Sequence, residues 1–171
     1  LLNRDFSASV TGFRRKITDL IALDDIHWTN SQGEVRVRGV ELDGKWPLDE
    51  RWSLSADMTR NLVEGNHGVT LTNIPSFFAR SRLAFDADNR LWGVAGAVRY
   101  IRSVVGAKGV EYGHYAVVDA DAYRYLDNAR QHRISLLVEN LFDRDYVTSR
   151  ASSVDNLGRP FTSEVRYTYR F

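Results

Sequence analysis

Cysteine is missing from all 171 residues, which rules out a disulfide framework, a thiolate metal site and a cysteine nucleophile together. Proline is scarce at 3 residues and glycine numbers 12, so collagen-like and low-complexity chains are excluded as well. An excess of one charge is also missing: 23 Lys and Arg stand against 22 Asp and Glu, and a net charge of +1 creates no field that would draw in nucleic acid. No stretch approaches the roughly 18 to 20 consecutive apolar residues of a transmembrane helix. The opening Leu-Leu-Asn-Arg-Asp carries neither an initiator Met nor a signal peptide, so the chain is expected to begin inside something longer. A mean hydropathy of −0.36 would on its own describe a soluble domain.

What is present is alternation. In Arg51 to Asn61, Trp52, Leu54, Ala56 and Met58 take one face of a strand, and Ser53, Ser55, Asp57 and Thr59 take the other. The segment from Ser76 sets Phe77, Ala79, Leu83 and Phe85 against Arg80, Arg82 and Asp86. From Leu91, Trp92, Val94, Val98 and Tyr100 oppose Gly93, Ala95, Ala97 and Arg99. Tyr115 to Asp127 places Ala116, Val118, Ala120 and Ala122 opposite Asp119, Asp121, Tyr123 and Tyr125. Phe161, Val165, Tyr167, Tyr169 and Phe171 alternate with Thr162, Glu164, Arg166 and Arg170. Further strands are expected at Asp5 to Ile21, Glu34 to Trp46 and His132 to Tyr146. In the Glu34 strand the apolar phase moves from Val35 and Val37 to Val40 and Leu42, which predicts a bulge at Arg38-Gly39.

About eight strands result, and their connections alternate strictly. Short ones at Pro47 to Glu50, Asp88 to Arg90 and Asn128 to Gln131 are interleaved with long polar ones at Ala22 to Gly33, Leu62 to Pro75, Ser103 to His114 and Thr148 to Pro160. A Greek-key sandwich has no reason for that order, whereas an outer-membrane barrel has tight turns on one side and long loops on the other. Aromatics agree. Phe6, Trp46, Trp52, Phe85, Trp92, Tyr125 and Phe171 lie beside the short turns as one interfacial belt, and Phe77, Tyr100, Tyr146 and Phe161 mark a second. Strands of roughly 10 to 15 residues suit a tilted bilayer crossing better than the usual five or six of globular sheets.

The second face carries Arg36, Glu41, Asp57, Arg80, Arg82, Arg99, Asp119, Asp121, Glu164 and Arg166. Eight strands closed on themselves would crowd those charges, so one arc of a wider barrel is expected. Two alternatives stay open. A complete small eight-stranded outer-membrane barrel, acting as an adhesin, anchor or enzyme, requires the first and last strands to pair. A soluble ligand-binding β-barrel requires an apolar interior.

Three segments then carry a resemblance. Gly33-Glu-Val-Arg-Val-Arg-Gly-Val-Glu41, Val138-Glu-Asn-Leu-Phe-Asp-Arg-Asp-Tyr146, and Gly158-Arg-Pro-Phe with the alternating strand to Phe171 resemble, in order and spacing, the barrel of TonB-dependent outer-membrane receptors. The resemblance implies an all-β, antiparallel transmembrane β-barrel, with residues 1–171 as the last portion of a 22-stranded barrel and the plug domain outside this chain. It implies TonB-energised uptake of a ferric siderophore or similar metal chelate in the outer membrane of a Gram-negative bacterium. The metal is cargo, and neither a cofactor nor enzymatic activity is expected. Partners implied are the plug domain, the remaining barrel strands, the TonB complex acting through the plug, and the barrel-assembly machinery. Tyr167, Tyr169 and Phe171 match the terminal assembly signal. Glu41 matches a glutamate that pairs with plug arginines, and Arg36, Arg80, Arg82 and Arg99 would join it on the plug-facing wall.

Cargo contacts would come from the long loops. His27 and Trp28, His67, Tyr112 and His114, and Arg150 and Arg159 are the candidates, because aromatic and guanidinium groups suit planar anionic chelates. The Asn-Pro-x-Leu box expected of haem-type receptors does not occur. The four histidines lack metal-site spacing, no Gly-x-Ser-x-Gly elbow or phosphate loop is present, and Asp25 with His27 only superficially suggests a rim enzyme.

Overall fold

The computed structural model describes residues 6–24, 27–30, 33–65, 71–105, 110–151 and 154–171. These residues form strands only: β1 (Ser7–Thr18), β2 (Ile21–Asp24), β3 (His27–Asn30), β4 (Glu34–Pro47), β5 (Trp52–Gly65), β6 (Pro75–Asp86), β7 (Trp92–Val105), β8 (Glu111–Tyr112), β9 (Tyr115–Tyr125), β10 (His132–Glu139), β11 (Val147–Ala151), β12 (Val154–Leu157) and β13 (Thr162–Tyr169). The main sheet runs β1-β4-β5-β6-β7-β9-β10-β13, antiparallel throughout, with β8 also paired to β7. β1 and β13 are its two ends, so the closed eight-stranded alternative is not what forms. The small hairpins β2–β3 and β11–β12 lie within the first and fourth long connections.

Each short turn closes on an acceptor side chain. Asp49 Oδ1 accepts the N–H groups of Arg51 at 2.7 Å and Trp52 at 2.6 Å. Asn89 Oδ1 accepts that of Leu91 at 2.9 Å, and the Asp127 carboxylate accepts those of Gln131 at 3.0 Å and His132 at 2.9 Å. Asp and Asn suit these places because a short polar side chain replaces the missing ladder bonds.

Register fixes the faces. Phe6 packs edge-on to Trp46 with centroids 6.3 Å apart, Trp52 and Phe85 lie at 5.0 Å, and Phe85 and Trp92 at 5.4 Å, forming one aromatic row beside the turns. Across β10 and β13 the row is resumed by His132, Tyr169 and Phe171, with His132 and Tyr169 stacked at 4.8 Å. One expected member of this belt and one of the opposite belt lie elsewhere. Tyr125 is odd-numbered on β9 and shares the opposite face with Tyr123, where Arg133 lies 5.8 Å from its ring. Tyr146 is buried against Tyr115, centroids 4.5 Å apart.

The predicted bulge is also absent. β4 pairs residue for residue from Glu34 to Lys45 with β1 and from Val35 to Pro47 with β5. The phase change has another cause: Val40, Leu42 and Trp46 continue the apolar face, and above them the same face turns to Arg38, Arg36 and Glu34 while Val35 and Val37 are buried on the other side. The strand leaves the apolar band without changing register. Arg36 therefore stands on the face opposite Glu41, which corrects its assignment to the plug-facing wall, because five residues along a regular strand reverse the face.

β10 ends at Glu139 and not at Tyr146. Asn140 and Asp143 take left-handed conformations, φ 52° and 48°, and turn the chain back toward the sheet. The buried residues gather at the loop end, where Ile101 and Val117 pack with Tyr115 and Tyr146. The apolar face has no such cover: Val10, Val94 and Val165 stand 72%, 45% and 73% exposed. So extensive an apolar surface is unfavourable in water and suited to a bilayer.

Candidate functional site

The polar face is a charge ladder. Asp57 on β5 accepts from Arg80 on β6 at 2.9 Å. Arg82 reaches across β7 to Asp121 on β9, and the alanines Ala95 and Ala97 beneath keep that path clear. Arg99 forks to Asp119 at 3.0 and 3.4 Å. The guanidinium groups of Arg80, Arg82 and Arg99 are thus neutralised by carboxylates of the wall itself. Glu41 lies on this face, and among the described residues it has no ion-pair partner.

Asn140 ties the ladder to the loops. It is 1% exposed, its N–H donates to Asp119 at 2.9 Å, and its side chain donates to the carbonyls of Arg144 at 2.9 Å and Arg159 at 3.1 Å while accepting from the Arg144 N–H at 2.9 Å. Every polar group of the side chain is satisfied, as burial requires. Gly158 lies under the Tyr146 ring, where any Cβ would collide with it, and its N–H donates to the Tyr146 carbonyl at 2.7 Å.

Above this level three loops meet. Tyr112 Oη donates to Asn73 Oδ1 at 2.5 Å, and the Arg150 N–H donates to the same oxygen at 3.1 Å. The Arg150 guanidinium lies 5.5 Å from the Tyr112 ring centre, a cation–π arrangement. Asp155 holds that guanidinium through Nε and Nη2, the second at 2.6 Å, and the Arg150 side chain is 25% exposed. Burial pushes the Tyr112 phenol up, and the Arg150 guanidinium holds the Asp155 carboxyl below its usual range. The result is a buried tyrosine and a partly exposed arginine held together through one asparagine of a third loop.

Tyr112 arrives there through a paired kink. β8 keeps the register of β9, and Ser103 and Gly113, which that register sets opposite each other, both have positive φ, 53° and 80°. Alternation alone would put Tyr112 on the apolar face with Ala116 and Val118. The double reversal instead leaves Tyr112 and Val104 buried among the loops.

Of the other loop candidates, His114 lies 3.4 Å from Glu111, whose carboxyl is held low by the Ser103 hydroxyl. Arg159 pairs with Glu139. Neither touches the Tyr112–Arg150 pair. His27 and Trp28 sit on β3 opposite Asp24 and Leu23, their side chains outside the described set, and His67 lies outside the described residues altogether. Asn73, which joins Tyr112 to Arg150, was not anticipated. Nor was His132, whose Nδ1 is 2.6 Å from Tyr167 Oη beside the terminal aromatics. Among the described residues no three His, Asp or Glu side chains gather to hold a metal.

A family model described as "TonB dependent receptor-like, beta-barrel" matches residues 1–141. The chain belongs to the TonB-dependent receptor barrel family. Among solved structures it is similar to the ferric-catecholate import receptor Fiu of Escherichia coli K12, with 23% identity, a TM-score of 0.77, and coverage of 100% of this chain and 26% of that one. The ferric yersiniabactin uptake receptor FyuA of Yersinia pestis gives 23% identity, a TM-score of 0.81, and coverage of 98% and 28%. The copper transporter OprC gives 17%, 0.76, and coverage of 100% and 30%. Among curated proteins no sequence matches. The chain spans about a quarter of the length of these receptors. As part of a TonB-dependent receptor barrel in the Gram-negative outer membrane, the sheet turns its apolar face to lipid and its charge ladder to the lumen. Its aromatic rows mark the interfaces.

Proposed function

We propose that this segment forms part of the wall and outer vestibule of a receptor for TonB-energised uptake of a ferric siderophore or similar metal chelate. The convergence of Asn73, Tyr112 and Arg150 from three separate loops carries the reading. A planar anionic chelate packs against the partly exposed Arg150 guanidinium as a charge-assisted donor, while the buried Tyr112 and the Asn73 amide hold the Arg150 segment in place beneath it. His27, Trp28, His67, His114 and Arg159 supply further loop contacts. Glu41, unpaired among the described residues, is the lumen group available to a cation of the plug domain, through which the TonB complex acts. The metal enters as cargo and no catalysis is assigned.

Uptake of radiolabelled ferric chelate by receptor-deficient cells expressing the receptor that contains this segment tests the proposal. Uptake is expected to require TonB and to fall about tenfold in Arg150→Ala, one charge-assisted contact being worth roughly 1.5 kcal/mol. Uptake that survives deletion of TonB would overturn the reading. The segment alone is expected to restore none, since unpaired strand edges in lipid cost several kcal/mol per group. Tyr167, Tyr169 and Phe171 serve recognition by the barrel-assembly machinery, and Phe171→Ala is expected to lower the amount of receptor reaching the outer membrane.

A further inference from the structure

On β1, β4 and β5 the lipid face changes character at one level. Val10, Leu42 and Met58 belong to the apolar band, and just above it Arg14 stands directly across from Arg38, and Lys16 across from Arg36. Like charges opposed on neighbouring strands destabilise a sheet unless an anion offsets them. Glu34 meets Lys16 and Arg36, and Glu64 meets Arg38. Arg14 and Arg60 have no ion-pair partner among the described residues, so cations outnumber carboxylates on this patch by five to two. Arg14, Arg38 and Arg60 rim a groove of about 480 Å³ that Gly12, Val40 and Leu62 also line. Gly12 leaves its floor open, with no atom within 4 Å of where a Cβ would be.

We propose that this groove binds the phosphorylated headgroup of an anionic lipid in the outer leaflet. Arg14, Arg38 and Arg60 hold the phosphates, and the adjoining acyl chain lies over Gly12 and Val40. Guanidinium forks match phosphate oxygens, and the excess positive charge sits at the level where headgroups begin. A free anion would have no use for the apolar floor. The site lies on the outside of the barrel, remote from the Tyr112–Arg150 cluster, so it stands whatever the cargo proves to be.

The test uses the receptor containing this segment, purified in detergent, with vesicles of neutral lipid doped with diphosphorylated lipid A, the dephosphorylated form as control, and inorganic phosphate as competitor. Removing three interfacial cations, in the Arg14→Ala, Arg38→Ala, Arg60→Ala triple variant, is expected to weaken binding about 100-fold. Gly12→Leu keeps every charge, fills open space, and is expected to weaken binding about tenfold by covering the floor. Retained heat-modifiable mobility on gels shows that each variant is folded. A folded triple variant that binds like the wild type overturns the site. Unchanged binding in Gly12→Leu, or displacement of the lipid by inorganic phosphate, shows a free-anion site and overturns the lipid assignment.

Discussion

The same strands end in two different ways. At the turn end every closure is local: Asp49, Asn89 and Asp127 accept N–H groups two to five residues further along the chain. At the loop end the closures are remote, with Asn73 bonded to residues 39 and 77 positions away and Asn140 to one 21 away. Local closure costs little loop entropy and can form early, whereas remote closure waits until the sheet has brought the partners together. The turn end is therefore a repeated device, and the loop end a single assembly that fails as a unit.

That contrast orders the expected effects of substitution. Asn140→Ala strips the three buried side-chain hydrogen bonds to Arg144 and Arg159 while keeping the backbone bond to Asp119. A loss of about 3 kcal/mol is expected, read from the guanidinium unfolding midpoint of the receptor. Gly158→Val drives a side chain into the Tyr146 ring and opens the Tyr115–Tyr146 stack, with a loss of about 2 kcal/mol by the same measurement. A double-mutant cycle on Arg82 and Asp121, both part-exposed, should return a coupling of only about 0.5 to 1 kcal/mol. The smallest effect belongs to the turn end. The Gln131 and His132 N–H groups hold the Asp127 carboxyl below its usual range. Its contribution is therefore complete above about pH 4 and lost as the pH falls through the lowered value. Asp127→Ala should lower the unfolding midpoint slightly at pH 7 and by less at about pH 2. An equal effect at both pH values would show that the turn does not depend on the carboxylate.

Legibility in the sequence follows the same divide. Alternation placed the strands and their faces because a half-buried sheet repeats every two residues. It located Arg80, Arg82 and Arg99 on the polar face but could not show that Asp57, Asp121 and Asp119 neutralise them, since cross-strand partners depend on register. Arg36 was misplaced because a change of surroundings along a straight strand looks, in sequence, like a bulge. The end of β10 was signalled by Asn140 and Asp143, residue types that accept left-handed backbone, yet the apolar Leu141 and Phe142 between them read as more strand. Tyr112 and Arg150 stand out as loop residues of suitable chemistry. Asn73, a small amide in a polar stretch, has no local feature that sets it apart from its neighbours.

The facing reversals at Ser103 and Gly113 have a consequence for how the loop end of the sheet diversifies. Below them each position is committed by parity to lipid or lumen, and an exchange of residue type there meets the wrong solvent. Above them parity has been reset, so a residue drawn from the membrane-facing series becomes available to the packing between the loops. Substitutions at Tyr112 can then alter how the loops pack without rewriting the strand that carries it, and the wall and the loop end are free to change at different rates.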